Sequence, residues 1–518
     1  MEFPETATGH DIAIVGGGSA GCVLAARLSE DPSCRVLLVE AGPDYPAARL
    51  PADLADGIHG TSTETHDWGL TGTGSAGAAP LSLPRGRVTG GSSAVNATFA
   101  LRGHPADYDG WGLPGWAFAD VLPAFVRLER DLDFGAADHH GDSGPVPIRR
   151  YLRDERSDLT AAVEEALVAI GIPRIPDHNA PGAVGVSALP VNCLDGRRIS
   201  TALAYLEPAR SRPNLTIRPD CLVQEVVIRG GRAVGLRTEG GDFLPADEVI
   251  VAAGAYESPG VLLRSGIGPA AELAALGWSV VADLPGVGAN LADHPWVSID
   301  LPCAAPDGDP AIFQLVATVR SSRATARGAP DLQLMVCGPY PLHEGYAFSL
   351  AAALLTPVSR GRLRLRTLEA GAAPDIELGY FRDGEDLTRL TECFRTAEAA
   401  ASTGPLSEVT HGARIGPSRE EVADDRALSA WIRTAAMTYH HPVGTCAMGL
   451  DPSAGAVVDP DGRVHGVPGL SVIDATVMPE LPSANTNNPT IMLAEHQATR
   501  RWTGGPAARR VPESAAAG

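Results

Sequence analysis

Residues 11–42 read DIAIVGGGSAGCVLAARLSEDPSCRVLLVEAG. The apolar run at 12–15 predicts a buried strand. Gly16, Gly18 and Gly21 follow as G-x-G-x-x-G, and residues 20–28 predict a helix with its small residues nearest the turn. A second apolar run at 34–39 predicts another buried strand, closed by Glu40 about twenty residues beyond the glycines. Glycine-rich turns are common, so the glycines alone would mean little. Strand, turn, helix, strand and terminal acid in this order form the dinucleotide-binding pattern. Gly16 permits the tight turn, Gly18 lets a pyrophosphate approach the backbone, and Gly21 lets the helix pack on the strand. The helix start offers free N–H groups to phosphates. Glu40 can accept hydrogen bonds from a ribose 2′-hydroxyl and would repel a 2′-phosphate. The competing reading is a βαβ unit without a ligand, and the pattern does not distinguish one dinucleotide from another.

A chain of 518 residues exceeds one ordinary core and implies two or three domains. Its formal charge of −21 suits a soluble protein that avoids nucleic acid and anionic membranes. The eight cysteines are dispersed with no C-x-x-C pair, so no metal site is expected. With no signal peptide at the N-terminus, reduced thiols in the cytoplasm are the expectation. No apolar run approaches the ~20 residues of a membrane-spanning helix.

Outward from the opening unit, residues 43–85 form a long irregular loop carrying Trp68, of the kind that is more often functional than accidental. GGSSAVN at 90–96 reads as a second glycine-rich helix start, leading into a helix at 94–101. It is either a second hold on a large cofactor or a plain cap at Ser92 or Ser93. His139 and His140 are adjacent and should point apart, which argues against a metal site. Helices are expected near 119–130, 155–171, 201–210 and 259–265, and strands at 215–217, 222–228, 233–238 and 248–253. Residues 297–435 alternate apolar and polar positions, as in GRLRLRTL at 361–368, and predict an antiparallel sheet with one wet face. Helices around 383–401 and 418–436 follow it.

The segment 438–499 holds TYHHPVGTCAMG, a strand at 471–473 ending in Asp474, and SANTNNPTIMLAEHQA before a closing helix at 489–500. A histidine at 440–441 is a candidate base, because its pKa lies near neutrality. An ordinary hydrogen-bonded loop histidine is the alternative. Asn485, Asn487 and Asn488 either cap the last helix or carry an amide to a reacting oxygen.

Together these segments resemble the glucose–methanol–choline (GMC) oxidoreductase family over roughly residues 10–500. The resemblance rests on the turn at 16–21 with Glu40-Ala41-Gly42, and on PRGRVTGGSSAVN (84–96) and GAYESPGVLLRSGIG (254–268). HPVGTCAMG (441–449), VIDATVMP (472–479) and NTNNPTIMLAE (485–495) complete it. It implies a two-domain α/β fold: a Rossmann-type FAD-binding domain built from 1–150, 205–296 and 441–505, and an antiparallel-sheet substrate domain from 151–204 and 297–440. Residues 506–518 would be a flexible tail.

The resemblance also implies FAD, held by Gly16, Gly18, Ser19, Ala20, Gly21, Glu40 and Ala41, and then by Trp68, Arg87, Gly91, Ser92, Asn96, Val223 and Ala253. Asp474, Ala475, Asn487, Pro489 and Thr490 complete the set. His441 would face the flavin as the base, with Asn485 as its partner. Three positions depart from the family pattern. Val95 stands where some members attach FAD through a histidine, so the cofactor is expected to be non-covalent. Thr89 replaces an aliphatic residue, and His440 stands where a tyrosine is common. The implied activity is oxidation of an alcohol to an aldehyde or ketone, with hydride transfer to the flavin and proton removal by histidine. The electron acceptor would be O2 or another oxidant. Choline, aryl, furfuryl, alkanol and sugar alcohols all remain open as substrates. The alternative is a non-redox lyase or decarboxylase of the same family.

Overall fold

The computed structural model describes residues 9–326 and 328–502. The tail expected at 506–518 lies outside them. Five parallel strands run in the order Leu215–Arg218, Val36–Val39, His10–Val15, Phe243–Val251, Leu470–Val472. The all-apolar VLLV of the second chain segment is buried on both faces, as a covered parallel sheet requires. Phe243–Val251 serves two partners. Its first half pairs antiparallel with Arg232–Thr238, which pairs in turn with Val223–Arg229. Its second half joins the parallel layer.

Helix Ser19–Leu28 follows the glycine turn and packs on the closing helix Asn487–Trp502. A Cβ at Gly21 would sit 1.9 Å from the Gly16 carbonyl oxygen, so only glycine allows this helix to leave the strand at that angle. Glu495 fixes the closing helix from below. It accepts from Arg27 at 2.7 Å, Arg127 at 3.0 Å and the Tyr205 hydroxyl at 2.8 Å.

A second, antiparallel sheet has the order Met437–Thr438, Pro295–Cys303, Tyr346–Leu354, Leu332–Pro341, Leu315–Val319, Val186–Ala188. Strand Pro295–Cys303 keeps the expected alternation of buried and partly exposed positions. Helix Gly384–Ala401 lies on one side, against the alanine-rich strand Tyr346–Leu354. The stretch at 361–368 contributes only Arg362–Arg364, paired with Asp375–Glu377 in a separate ribbon.

Three helices differ from expectation. Residues 94–101 are not helical: a single turn at Gly91–Ala94 ends the motif, and no serine caps it. The Arg198 guanidinium takes the carbonyls of Ala94 and Asn96, and Thr98 turns to φ 63°. The helix expected at 259–265 is Gly254–Arg264, with Pro259 inside it. The carbonyl that Pro259 leaves free, that of Ala255, accepts from the Thr445 hydroxyl at 2.8 Å. The helix expected at 418–436 is broken into Arg419–Ala423 and Asp425–Ala435, because the Asp424 side chain caps the second piece.

Candidate active site

One continuous cavity passes along the carboxyl ends of the parallel strands and under the antiparallel sheet. Gly16, Gly18, Ser19, Ala20, Glu40, Ala41, Trp68, Gly91, Ser92, Asn96, Val223, Ala253, Asp474, Ala475, Asn487 and Thr490 line it, together with His441 and Asn485. Gly21, Arg87 and Pro489 are not among the lining residues. Gly21 faces the strand, Arg87 lies over the Trp68 ring at 5.0 Å, and Pro489 sits in the first turn of the closing helix.

The two glycine-rich turns meet in the cavity wall. Gly91, at φ +51°, would bring a Cβ within 2.7 Å of the Gly18 Cα. The Ser19 hydroxyl donates to Asn487 Oδ1 at 2.9 Å, while the buried Asn487 Nδ2 has no partner within the protein. The Glu40 carboxylate accepts the amides of Gly17 at 2.8 Å and Gly42 at 2.9 Å. Burial pushes Glu40 up to about 7, against the pull of those amides. Asp474 is already fully engaged. It accepts from Gly254, Ser258 and both the amide and hydroxyl of Thr476, so it shapes the turns around the cavity. Side-chain-free turns, a buried acid and an unpartnered buried amide donor suit a long dinucleotide, and FAD fits this donor set.

The second half of the site is built on two turns. The His441 amide donates to Asp293 Oδ1 at 2.7 Å, and the other carboxylate oxygen accepts from Tyr380 at 2.5 Å and Thr438 at 2.6 Å. This locks the backbone of the histidine. Its ring has Nδ1 3.0 Å from His294 Nδ1, and Nε2 3.1 Å from Asn485 Nδ2. Burial, then the neighbouring His294, His440 and Arg85, hold His441 well below its ordinary value. At neutral pH it is an uncharged imidazole, able to take a proton. His440 also lines the cavity, but it stands at φ 65°, its carbonyl accepts from Arg85 at 3.0 Å, and it does not bond Asn485. The structure therefore pairs Asn485 with His441.

Sequence reasoning missed Asp293 and His294, which lie in a turn of unremarked composition. It also missed Phe99, Trp296, Phe313, Met335 and Cys337, which with Tyr439 form the apolar wall beside His441. Met335 and Cys337 stand two apart on one strand and so share its face. That periodicity puts them on one face without saying which face meets the cavity.

His139 and His140 do converge, contrary to expectation. His140 lies 3.0 Å from Asp177 and 2.7 Å from Glu129, and His139 4.0 Å from Asp177. Arg102 and Arg150 enter the same cluster and answer its negative charge. Burial works against a charged His140, but Asp177 and Glu129 outweigh it and raise its affinity for a proton.

Family models described as GMC oxidoreductase match residues 10–296 and 357–494. A 5-(hydroxymethyl)furfural oxidase of Methylovorus sp. (strain MP688) is 37% identical, over 95% of this chain and 98% of its own length. An oxygen-dependent choline dehydrogenase of Brucella ovis is 35% identical, over 94% of each chain. The crystal structure of pyridoxine 4-oxidase from Mesorbium loti superposes with a TM-score of 0.86 at 32% identity, over 95% of this chain and 99% of that one. With the α/β fold, the glycine turn and both family segments in register, the chain belongs to the GMC oxidoreductase family, whose members use FAD.

Proposed function

We propose that this chain oxidises a primary alcohol held between His441 and Asn485. The observation that carries this reading is their direct contact, Nε2 to Nδ2 at 3.1 Å, in the wall of the cavity that also holds the glycine turns. FAD, when bound, supplies the hydride acceptor. A hydroxyl entering from the cavity replaces that direct contact, accepting from the Asn485 amide and giving its proton to His441 Nε2. Asp293 keeps the imidazole from moving as the proton arrives. Enclosure of His441, a residue 8% exposed, excludes water from that transfer.

The cofactor is held without a covalent bond at the signature position. Val95 is buried in a small apolar cluster with Leu54, Val88 and Ala94, and does not line the cavity. Among the described residues, the cofactor layer comprises 9–150, 205–296 and 441–502, and the substrate layer 151–204, 297–326 and 328–440. In support, the six-stranded sheet draws its strands from 186–188, from 295–354 and from 437–438. No helix among the described residues is long and apolar enough to cross a membrane. None of the eight cysteines is in a disulfide, which suits a reducing compartment such as the cytoplasm.

The substrate is a neutral alcohol with a flat, apolar body. Phe99, Trp296, Phe313, Met335 and Tyr439 surround the space beside His441. The carboxylates that line the cavity are Glu40, Asp474 and Glu257. The first two are engaged by backbone and hydroxyl groups, and Glu257 faces Arg264 at 3.6 Å. None is free to meet a quaternary ammonium. The names of the furfural and pyridoxine oxidases point the same way.

The test is anaerobic titration of the yellow protein with benzyl-type alcohols, hydroxymethyl heterocycles, choline and alkanols. Bleaching by the aromatic alcohols first supports the reading, and the rate of recovery in air distinguishes O2 from another acceptor. Bleaching by choline alone overturns the substrate class, and bleaching by no alcohol overturns the oxidation.

A further inference from the structure

His441 and His294 share one proton between two facing nitrogens, Nδ1 to Nδ1 at 3.0 Å. One ring must donate and the other accept. Asn485 cannot decide which, because an amide can turn its oxygen or its nitrogen toward His441 Nε2. The answer lies on the far side of His294. That ring is fully enclosed, at 0% exposure. Its Nε2 has no partner in good hydrogen-bond geometry, and the polar groups acting on the ring from outside the pair are the backbone carbonyls of Leu355 and Pro482. Carbonyls only accept. With Nδ1 facing His441, a bare Nε2 would turn a lone pair toward surroundings whose polar groups are acceptors, whereas an Nε2–H is attracted by them. Burial keeps His294 uncharged, holding it down at about 3, so it carries a single proton.

We propose that His294 is a positioning residue: it holds its own proton on Nε2, accepts at Nδ1 from His441, and so leaves His441 Nε2 bare toward Asn485 and the cavity. This rests on the reading of His441 as the base. The bare Nε2 is then the atom that receives the hydroxyl proton, and no tautomer change is needed before reaction. The imidazolium formed keeps its Nδ1–H on His294 while Nε2–H faces the alkoxide. Asp293, the residue before His294, anchors the same histidine through its backbone, so one dipeptide sets both position and tautomer.

Two measurements test this on the FAD-loaded enzyme. Histidine-labelled 15N spectra, with the His441 signals identified by their loss in His441→Gln, should find His441 protonated at Nδ1 and bare at Nε2. His294→Leu, which removes the acceptor, should slow anaerobic flavin reduction about tenfold or more, by analogy with the cost of a wrong tautomer or a lost orienting partner, with FAD retained. His294→Asn, which keeps an oxygen near the place of Nδ1, should restore most of that rate. A proton on His441 Nε2 in the wild type overturns the proposal even if neither variant folds. So does equal slowing in the two variants. Normal reduction in His441→Ala would instead remove the reading on which it stands.

Discussion

Gly18 and Gly91 touch backbone to backbone across 73 residues of sequence, and the contact is one-sided. A Cβ on Gly91 would fall 2.7 Å from the Gly18 Cα, but a Cβ on Gly18 would find nothing nearer than the Gly91 Cα at 3.9 Å. The outer surface of Gly18 is therefore open, and it faces the cavity.

That asymmetry separates two substitutions. Gly18→Ala should fold with near-normal stability and lose FAD, because the methyl occupies space the cofactor needs. Gly91→Ala should lose stability as well. Its left-handed φ costs about 1–2 kcal/mol with a side chain, and the overlap with Gly18 about 1–3 kcal/mol more. The flavin-to-protein absorbance ratio and the urea midpoint of each stripped protein check this. Full FAD in Gly18→Ala would mean that the cofactor does not pass over this turn.

Removing the base should leave binding intact. In His441→Ala, FAD retention should match the wild type, while anaerobic reduction by the best alcohol slows by about 10²–10⁴. Because His441 is held well below its ordinary value, first by burial, the wild-type reduction rate should be level from pH 6.5 upward and fall only in acid. An inflection near pH 6.5 would mean that the ring is more solvated than the residue's 8% exposure implies.

How far the sequence could be read follows from where each signal lies. Gly16, Gly18, Gly21 and Glu40 are legible because the whole βαβ unit is local, so spacing alone fixes which atoms meet. His441 and Asn485 are 44 residues apart, and only the family resemblance singled them out from ordinary loop and capping residues. The helix expected at 94–101 fails because Arg198, far along the chain, takes two of the carbonyls that a helix would use. Local propensity contains no trace of that. Trp296, Met335 and Cys337 were not recoverable as cavity residues. A strand's alternation gives two faces, and which one meets the cavity is set by pairing with distant strands.

The His140 cluster is a structural joint, and its energetics should resemble a buried network more than a surface pair. Arg150 places Nη1 2.9 Å from Asp131 and Nη2 2.6 Å from Asp177, with its own side chain 3% exposed. Arg150→Leu leaves two buried carboxylates without their guanidinium and should cost about 3–5 kcal/mol. Arg395→Leu breaks an exposed pair with Asp425 and should cost at most about 1 kcal/mol. Equal urea midpoints for the two variants would contradict this account.

The clustered buried histidines give the fold a defined response to acid. His294 and His440 are pushed down to about 3 and His441 well below its ordinary 6.5, in each case chiefly by burial. Below pH 6.5 the unfolded chain binds protons on these rings and the folded chain does not, so their contribution to stability is whole above pH 6.5 and erodes as the pH falls. Glu40, raised to about 7, and Asp107, raised to about 6, act in the opposite sense. Burial favours their neutral forms, and what they contribute is lost as the pH rises through those values. The total curve therefore mixes signs, and only a difference between variants isolates one ring. His440→Asn suits this purpose, because asparagine tolerates the left-handed φ of 65° at that position. Between pH 6.5 and 5, the wild type should lose about 1.4 kcal/mol per pH unit more than the variant. Above pH 7 the gap between their urea midpoints should stay constant. A gap that is constant down to pH 5 would mean that His440 takes up its proton in the folded protein, and that the cavity wall opens to water there.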